Sequence, residues 1–304
     1  MSWADKIPAK EVHRLIGGNA ANLSVGTSRL KLKTAQYLEL GDDEAGVKIF
    51  NILRDEGVST KYIYRRKHLA SNFSAVLNFH AERTILVYHV PRKYIFPKTE
   101  NARWVYYTSM GPGFEKIHPA LLKYLKILGA KLGINPGTYQ LRAGAKAMKD
   151  ILRVTDVILL NKEETQLFTN SESDDFAVLL KNLLKLGPKI AVVTDGPKGS
   201  YASDGKNFYY QNIYDTPILE RTGCGDSYST GFLAALAYGL DIKEGMRWGT
   251  MNAAFVIQKV GAQPGLLKLN AMKRLLAGNP KFQPKKFHEL KGDYTKGYRP
   301  LMLK

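Results

Sequence analysis

Thr222-Gly223-Cys224-Gly225-Asp226-Ser227-Tyr228-Ser229-Thr230-Gly231-Phe232 is a glycine turn that opens directly into an apolar helical pattern. Phe232, Leu233, Leu236 and Leu240 recur at the spacing of one helical face, which predicts a helix over 226–238. Small residues in the turn let backbone N–H groups converge, and the helix dipole adds partial positive charge, so the turn suits a phosphoryl group. Asp226 stands beside that anion site. A carboxylate there can accept the proton of a hydroxyl attacking a phosphoryl group. An aspartate before a helix is also commonly a plain N-cap, and the stretch alone leaves both readings open.

Four short apolar runs lie upstream, at 104–108, 131–134, 157–160 and 190–193, each followed by a polar or glycine-containing turn and a helical pattern. That alternation is the βαβ rhythm of a parallel sheet. Ligands of such sheets bind beyond the carboxyl ends of the strands, so the turns after these runs are where chemistry is expected. Further upstream, 15–57 reads as a glycine turn, a helix, a short strand over 34–40, the turn Gly41-Asp42-Asp43 and a helix ending at Gly57. Between Tyr62 and Tyr94 the pattern turns β-rich, and 74–79 and 84–90 predict a hairpin. Downstream, helices are predicted over 242–259 and 270–277. The stretch 281–304 carries seven basic residues against two acidic ones and reads as a solvated or loosely packed tail.

A chain of 304 residues, 44% hydrophobic and 24% charged, can bury one large core with an appendage, which sets disorder aside. No apolar run approaches a membrane span, and the first residues lack the apolar segment of a signal peptide, so a cytoplasmic protein without a membrane partner is expected. Cys224 is the only cysteine, which excludes an internal disulfide, and the six histidines lack HExxH spacing. The net charge of +18 attracts phosphate in general. Lysines and arginines are nevertheless spread over the whole chain with no basic-aromatic signature, so specific nucleic-acid binding is not expected. Nor is there a GxxxxGK[ST] loop, since Gly199 and Gly205-Lys206 are wrongly spaced and Asn207 follows.

Three more clusters carry chemistry-bearing residues. Gly17-Gly18-Asn19-Ala20-Ala21-Asn22 precedes the first helix, Asn161-Lys162-Glu163-Glu164 follows the run at 157–160, and Thr194-Asp195-Gly196-Pro197-Lys198-Gly199 follows the run at 190–193. Singly, they read as turn chemistry, a solvated helix start and a β-turn. Together with the turn at 222–226 they resemble the two signatures, the Asn-x-x-Glu motif and the nucleotide segment of the ribokinase (PfkB) family of carbohydrate kinases. The amino-terminal signature runs from Gly17-Gly18 to Gly41-Asp42-Asp43-Glu44-Ala45-Gly46. Lys31 stands where glycine or serine is usual, which implies a changed turn. Glu220-Arg221 replaces the usual Asp-Thr, and Cys224 replaces a small residue.

The resemblance covers about 17–263 and implies an α/β, ribokinase-like fold: a mostly parallel central sheet flanked by helices, with a small β lid drawn from about 7–15 and 61–92. It places the kinase domain at 1–278 and the basic tail at 279–304. It implies transfer of the γ-phosphoryl of ATP to a hydroxyl of a sugar or sugar derivative, with Asp226 as base and Gly223, Cys224 and Gly225 as the anion hole. Gly17, Gly18, Asn19 and Asn22 would contact substrate hydroxyls. Thr194, Gly196 and Gly199 would lie along the ATP phosphates, Asn252 would meet the adenine or ribose, and Asn161 and Glu164 would act on Mg2+ through water. Many relatives respond to a monovalent cation near the anion hole; Glu220 and Arg221 lead us to expect weak or absent potassium activation. Exposed lid edges favour pairing and so allow a homodimer. A nucleoside kinase of the same family, or a relative that binds sugar or nucleotide without turnover, are the alternatives.

Relatives place a core strand before the lid, usually ending in a substrate-binding aspartate, and only sixteen residues precede Gly17 here. Asp5 lies on the wrong side of the expected lid strand to replace it. The first core strand is therefore expected to be missing, through a fragment or a misplaced start, with low stability and activity as the consequence.

Overall fold

The computed structural model describes residues 8–79 and 82–287. The chain runs α1 (Asn19–Arg29), β1 (Leu38–Gly41), α2 (Glu44–Asp55), β2 (Ile63–Arg66), then the hairpin β3 (Phe73–Phe79) and β4 (Glu82–Tyr88). It continues through β5 (Trp104–Tyr107), α3 (His118–Leu128), β6 (Lys131–Ile134), α4 (Thr138–Ala147), α5 (Lys149–Arg153), β7 (Val157–Asn161), α6 (Lys162–Thr169), α7 (Phe176–Lys185) and β8 (Ile190–Thr194). It ends with β9 (Ser200–Ser203), β10 (Phe208–Gln211), α8 (Cys224–Ala237), α9 (Ile242–Val256), α10 (Leu269–Gly278) and β11 (Lys285–Lys286).

The four apolar runs become β5, β6, β7 and β8, parallel neighbours in a seven-stranded sheet whose antiparallel margin is β9, β10 and β11. Their apolar character follows from burial on both faces. Ile158, Leu160, Ala191 and Val193 meet α3, α4, α5 and α7 on one side, while Val157, Leu159 and Val192 meet Phe232 and Leu233 of α8 and Met246 of α9 on the other. The alternation is the two-residue period of a strand. Each such aliphatic side chain, once buried, contributes roughly 1.5–3 kcal/mol.

β1 and β2 form a separate parallel pair over Val25, Leu53 and Leu266. Among the described residues no strand joins that pair to β5, so β1 and β5 each have one paired and one unpaired edge. The expected first core strand thus has no counterpart among the described residues.

Four expectations need correction. Residues 8–15 make no strand, and Ile7 and Asp5 lie outside the described residues. The segment 63–66 pairs in parallel with β1 rather than entering a lid, which leaves the β3–β4 ribbon as the projecting element. Its exposed Phe73, Leu86, Val87 and Tyr88 lack a partner layer among the described residues. The boundary at 278 is too early, because β11 pairs with β10 and Phe287 is buried against Tyr201 and Phe208. Finally, the strand expected over 34–40 begins at Leu38.

Candidate active site

The carboxyl ends of β6, β7 and β8 carry Asn135, Asn161 and Thr194, and the start of α8 lies over the same end of the sheet. What brings α1 there is a helix contact made close by glycine. A side chain on Gly26 would overlap Thr230 of α8, and one on Gly231 would overlap the Trp248 backbone of α9. Asn22 and Gly26 share a face of α1, as Asp226 and Thr230 share one of α8. Closing Gly26 on Thr230 therefore sets Asn22 against Asp226, and Asn22 Nδ2 donates to Asp226 Oδ2 at 2.7 Å.

The turn before α8 has the geometry its sequence predicts. Gly223 is the N-cap in the left-handed region, φ 77°, which a side chain would strain. It also lies so close to Ala262 that a Cβ would overlap that residue. Gly225, in the first helical turn, faces open space: a Cβ there meets nothing within 4 Å. The first N–H groups of a helix lack intrahelical acceptors, so this open turn beside Asp226 has the geometry that suits an anion.

Gly17 and Gly18 are exposed, and added side chains would again meet nothing within 4 Å, so the approach to α1 is open. Asn19 Nδ2 donates to Asn135 Oδ1 at 3.2 Å, and Asn135 Nδ2 donates to Leu159 O at 2.7 Å, which ties the segment to the sheet. Asn22 is 3% exposed. Lys31 keeps the left-handed turn after α1 at φ 64°, a conformation glycine adopts more easily.

Asn161 and Glu164 form a reciprocal capping box, Asn161 Oδ1 accepting from Glu164 N at 2.7 Å and Glu164 Oε2 from Asn161 N at 2.9 Å. Burial pushes the Glu164 carboxyl above the usual carboxylate range, against the lowering bond from the Asn161 amide, and the nearby Asp226 charge pushes it further up. Gly196 has φ 50° and open space at its Cβ position, close after Thr194 at the end of β8. Gly199 differs: it is buried, and a side chain would overlap the Gln211 carbonyl, so the close strand crossing accounts for this glycine.

Asn252 is withdrawn from the nucleotide site. It is fully buried, with Nδ2 donating to Ser227 O at 2.8 Å and Oδ1 accepting from Leu267 N at 3.0 Å, so its amide braces α8 from beneath. Glu220 is buried as well, accepting from the Thr222 hydroxyl and, at 2.6 Å, from Gly261 N, whereas Arg221 is exposed.

Asn135, Glu220 and Gln263 were not among the predicted site residues. Asn135 directly follows an apolar run and was within reach of the carboxyl-end rule. Gln263 Nε2 donates to Asn22 Oδ1 at 3.0 Å across 241 residues of sequence, and no local pattern signals that contact. A hollow lined by Trp104, Lys131 and Leu236 lies at the opposite, amino ends of β5 and β6, away from these groups.

A family model described as pfkB family carbohydrate kinase matches residues 4–269. The chain belongs to the pfkB carbohydrate kinase family. This pfkB kinase is a phosphotransferase acting on a carbohydrate hydroxyl. It is 24% identical over 283 residues to a 5-dehydro-2-deoxygluconokinase of Shouchella clausii, covering 86% of each chain. Its fold is that of Arabidopsis thaliana ribokinase complexed with ribose and ATP, with a TM-score of 0.76 at 22% identity over 90% of this chain and 92% of that one. Burkholderia thailandensis nucleoside kinase in complex with inosine gives a TM-score of 0.75 at 15% identity, over 91% and 92% of the two chains.

Proposed function

We propose that this pfkB kinase transfers the γ-phosphoryl group of ATP to a hydroxyl of a sugar or sugar derivative, with Asp226 as the base. The observation that carries the proposal is the pairing at the start of α8: an open glycine cradle at Gly225, and beside it a carboxylate held by Asn22. The cradle's N–H groups stabilise the charge that develops on the transferred group, while Asp226 takes the acceptor proton. Gly17, Gly18 and Asn19 border the acceptor side, and Thr194 with Gly196 the nucleotide side. The exposed apolar residues of β3 and β4 support pairing with a second copy of the chain through this ribbon.

Mg2+ fits this site through water. Glu164 and Asp226 raise the local demand for positive charge, yet among the described residues no group of three His, Cys, Asp or Glu could hold a metal. An ion held chiefly by nucleotide oxygens and waters suits Glu164 at its outer edge, and it would neutralise phosphate charge there. For a monovalent cation the residues fit poorly, because the Glu220 carboxylate already accepts from Thr222 and Gly261. Exchanging sodium for potassium at fixed ionic strength is expected to leave the rate nearly unchanged. A several-fold rise would overturn that expectation.

ATP consumption measured with ribose, fructose, tagatose, 5-dehydro-2-deoxygluconate, adenosine and inosine tests the acceptor class. A sugar or sugar acid should be turned over in preference to either nucleoside. Turnover of the nucleosides alone would reject the sugar reading, and binding without phosphate transfer would reject catalysis.

A further inference from the structure

We infer that Gln263 is a positioning residue that sets the orientation of the Asn22 amide and, through it, of the Asp226 carboxylate; this rests on the assignment of Asp226 as the base. An ionised carboxylate only accepts hydrogen bonds, so the Asn22 group at 2.7 Å from Asp226 Oδ2 must be its NH2. Its carbonyl oxygen then faces Gln263, which must donate, as the 3.0 Å bond from Nε2 requires. A buried asparagine whose ends are interchanged would aim Oδ1 at the carboxylate and repel it. Gln263, itself 7% exposed, selects against that flip from the far side.

The loop carrying Gln263 is held from both directions. Glu220 fixes it at Gly261, and Arg29 Nη1 donates to Gln263 O at 2.7 Å and to Leu266 O at 3.3 Å. Glu56 in turn grips Arg29 through Nε at 2.8 Å and Nη2 at 2.5 Å. Asn22, Gly26 and Arg29 recur at helical spacing along one face of α1. That face therefore presents the contact to the base, the close approach to α8 and the anchor of the Gln263 loop in succession. Asn22 is thus not only a substrate contact, since both ends of its amide are engaged within the protein.

Three measurements on the full chain test the inference. Gln263→Met, close in volume but unable to donate, should lower kcat by about threefold to tenfold, the size of one lost hydrogen bond between neutral amides, with little change in the KM for ATP. In an Asn22→Ser background the same substitution should cost nothing more, because Gln263 acts only through Asn22. The acid limb of the rate profile should move to higher pH in Gln263→Met, since Asp226 then keeps its donor only part of the time. Glu164 at the start of α6 and Tyr106 of β5, which also interact with the Asp226 charge, are unaltered by the change. Losses that multiply in the double variant, or an unmoved acid limb, would overturn the inference. Should Gln263→Met not fold, the native protein still decides: the side-chain amide resonance of Asn22 should titrate with the carboxyl in the native chain and lose that titration in Asp226→Asn. An Asn22 amide that ignores the carboxyl would equally reject the relay. Full activity of Asp226→Asn, with the Asn22 titration present in the native chain and lost in the variant, would instead reject the base and leave the relay standing.

Discussion

Asp226→Asn is expected to lower turnover about a hundredfold to ten-thousandfold, the usual contribution of a general base. The substitution keeps the shape of the side chain, and its Oδ1 can still accept from Asn22 Nδ2, so the contact between α1 and α8 survives. The cradle at Gly225 is backbone and also survives, so ATP affinity should change little. Thermal melts close to native, ATP binding within about the native range by calorimetry and a collapsed kcat would together isolate the loss to the proton transfer. Near-native turnover in a folded variant would end the assignment of Asp226 as the base.

Most of this site could be read from the sequence because it is built from backbone turns. Gly223 and Gly225 before the apolar positions of α8 specify an open glycine turn at a helix start, and the apolar runs at 131–134, 157–160 and 190–193 specify which end of the sheet it must face. The parallel strands were legible for the same reason: burial on both faces makes them continuously apolar. β9 and β10 were not anticipated, since their alternation is carried by tyrosines and serines such as Tyr201, Ser203 and Tyr209. The polar wiring was also less legible. Asn252 and Asn22 are both asparagines on helices, yet one is spent on Ser227 and Leu267 beneath α8 while the other reaches Asp226. Only the helix packing set by Gly26 and Gly231 separates those fates. Glu220 shows the same limit, because a departure from a family motif told us that the residue had changed and not that its carboxylate bridges two loops.

The two glycines of the cradle should respond to enlargement in opposite ways. Gly223→Val forces a branched residue into a left-handed backbone, a cost of about 1–3 kcal/mol, and drives its Cβ into Ala262. The clash is with backbone as well as side-chain atoms, so the start of α8 must shift, and a lowered melting temperature is expected together with lost activity. At Gly225 the helical backbone accepts any L-residue, and the space around the Cβ is empty of protein. Gly225→Val should therefore melt at or near the native temperature. Its side chain would occupy the volume where the phosphoryl group must lie, displacing that group from the N–H donors; losing such donors costs about a hundredfold or more in kcat. A folded Gly225→Val protein that has lost ATP turnover, next to a destabilised Gly223→Val, is the expected pair of results. If Gly225→Val instead keeps native turnover, the phosphoryl group does not enter this cradle, and the backbone N–H groups of the turn have no catalytic part.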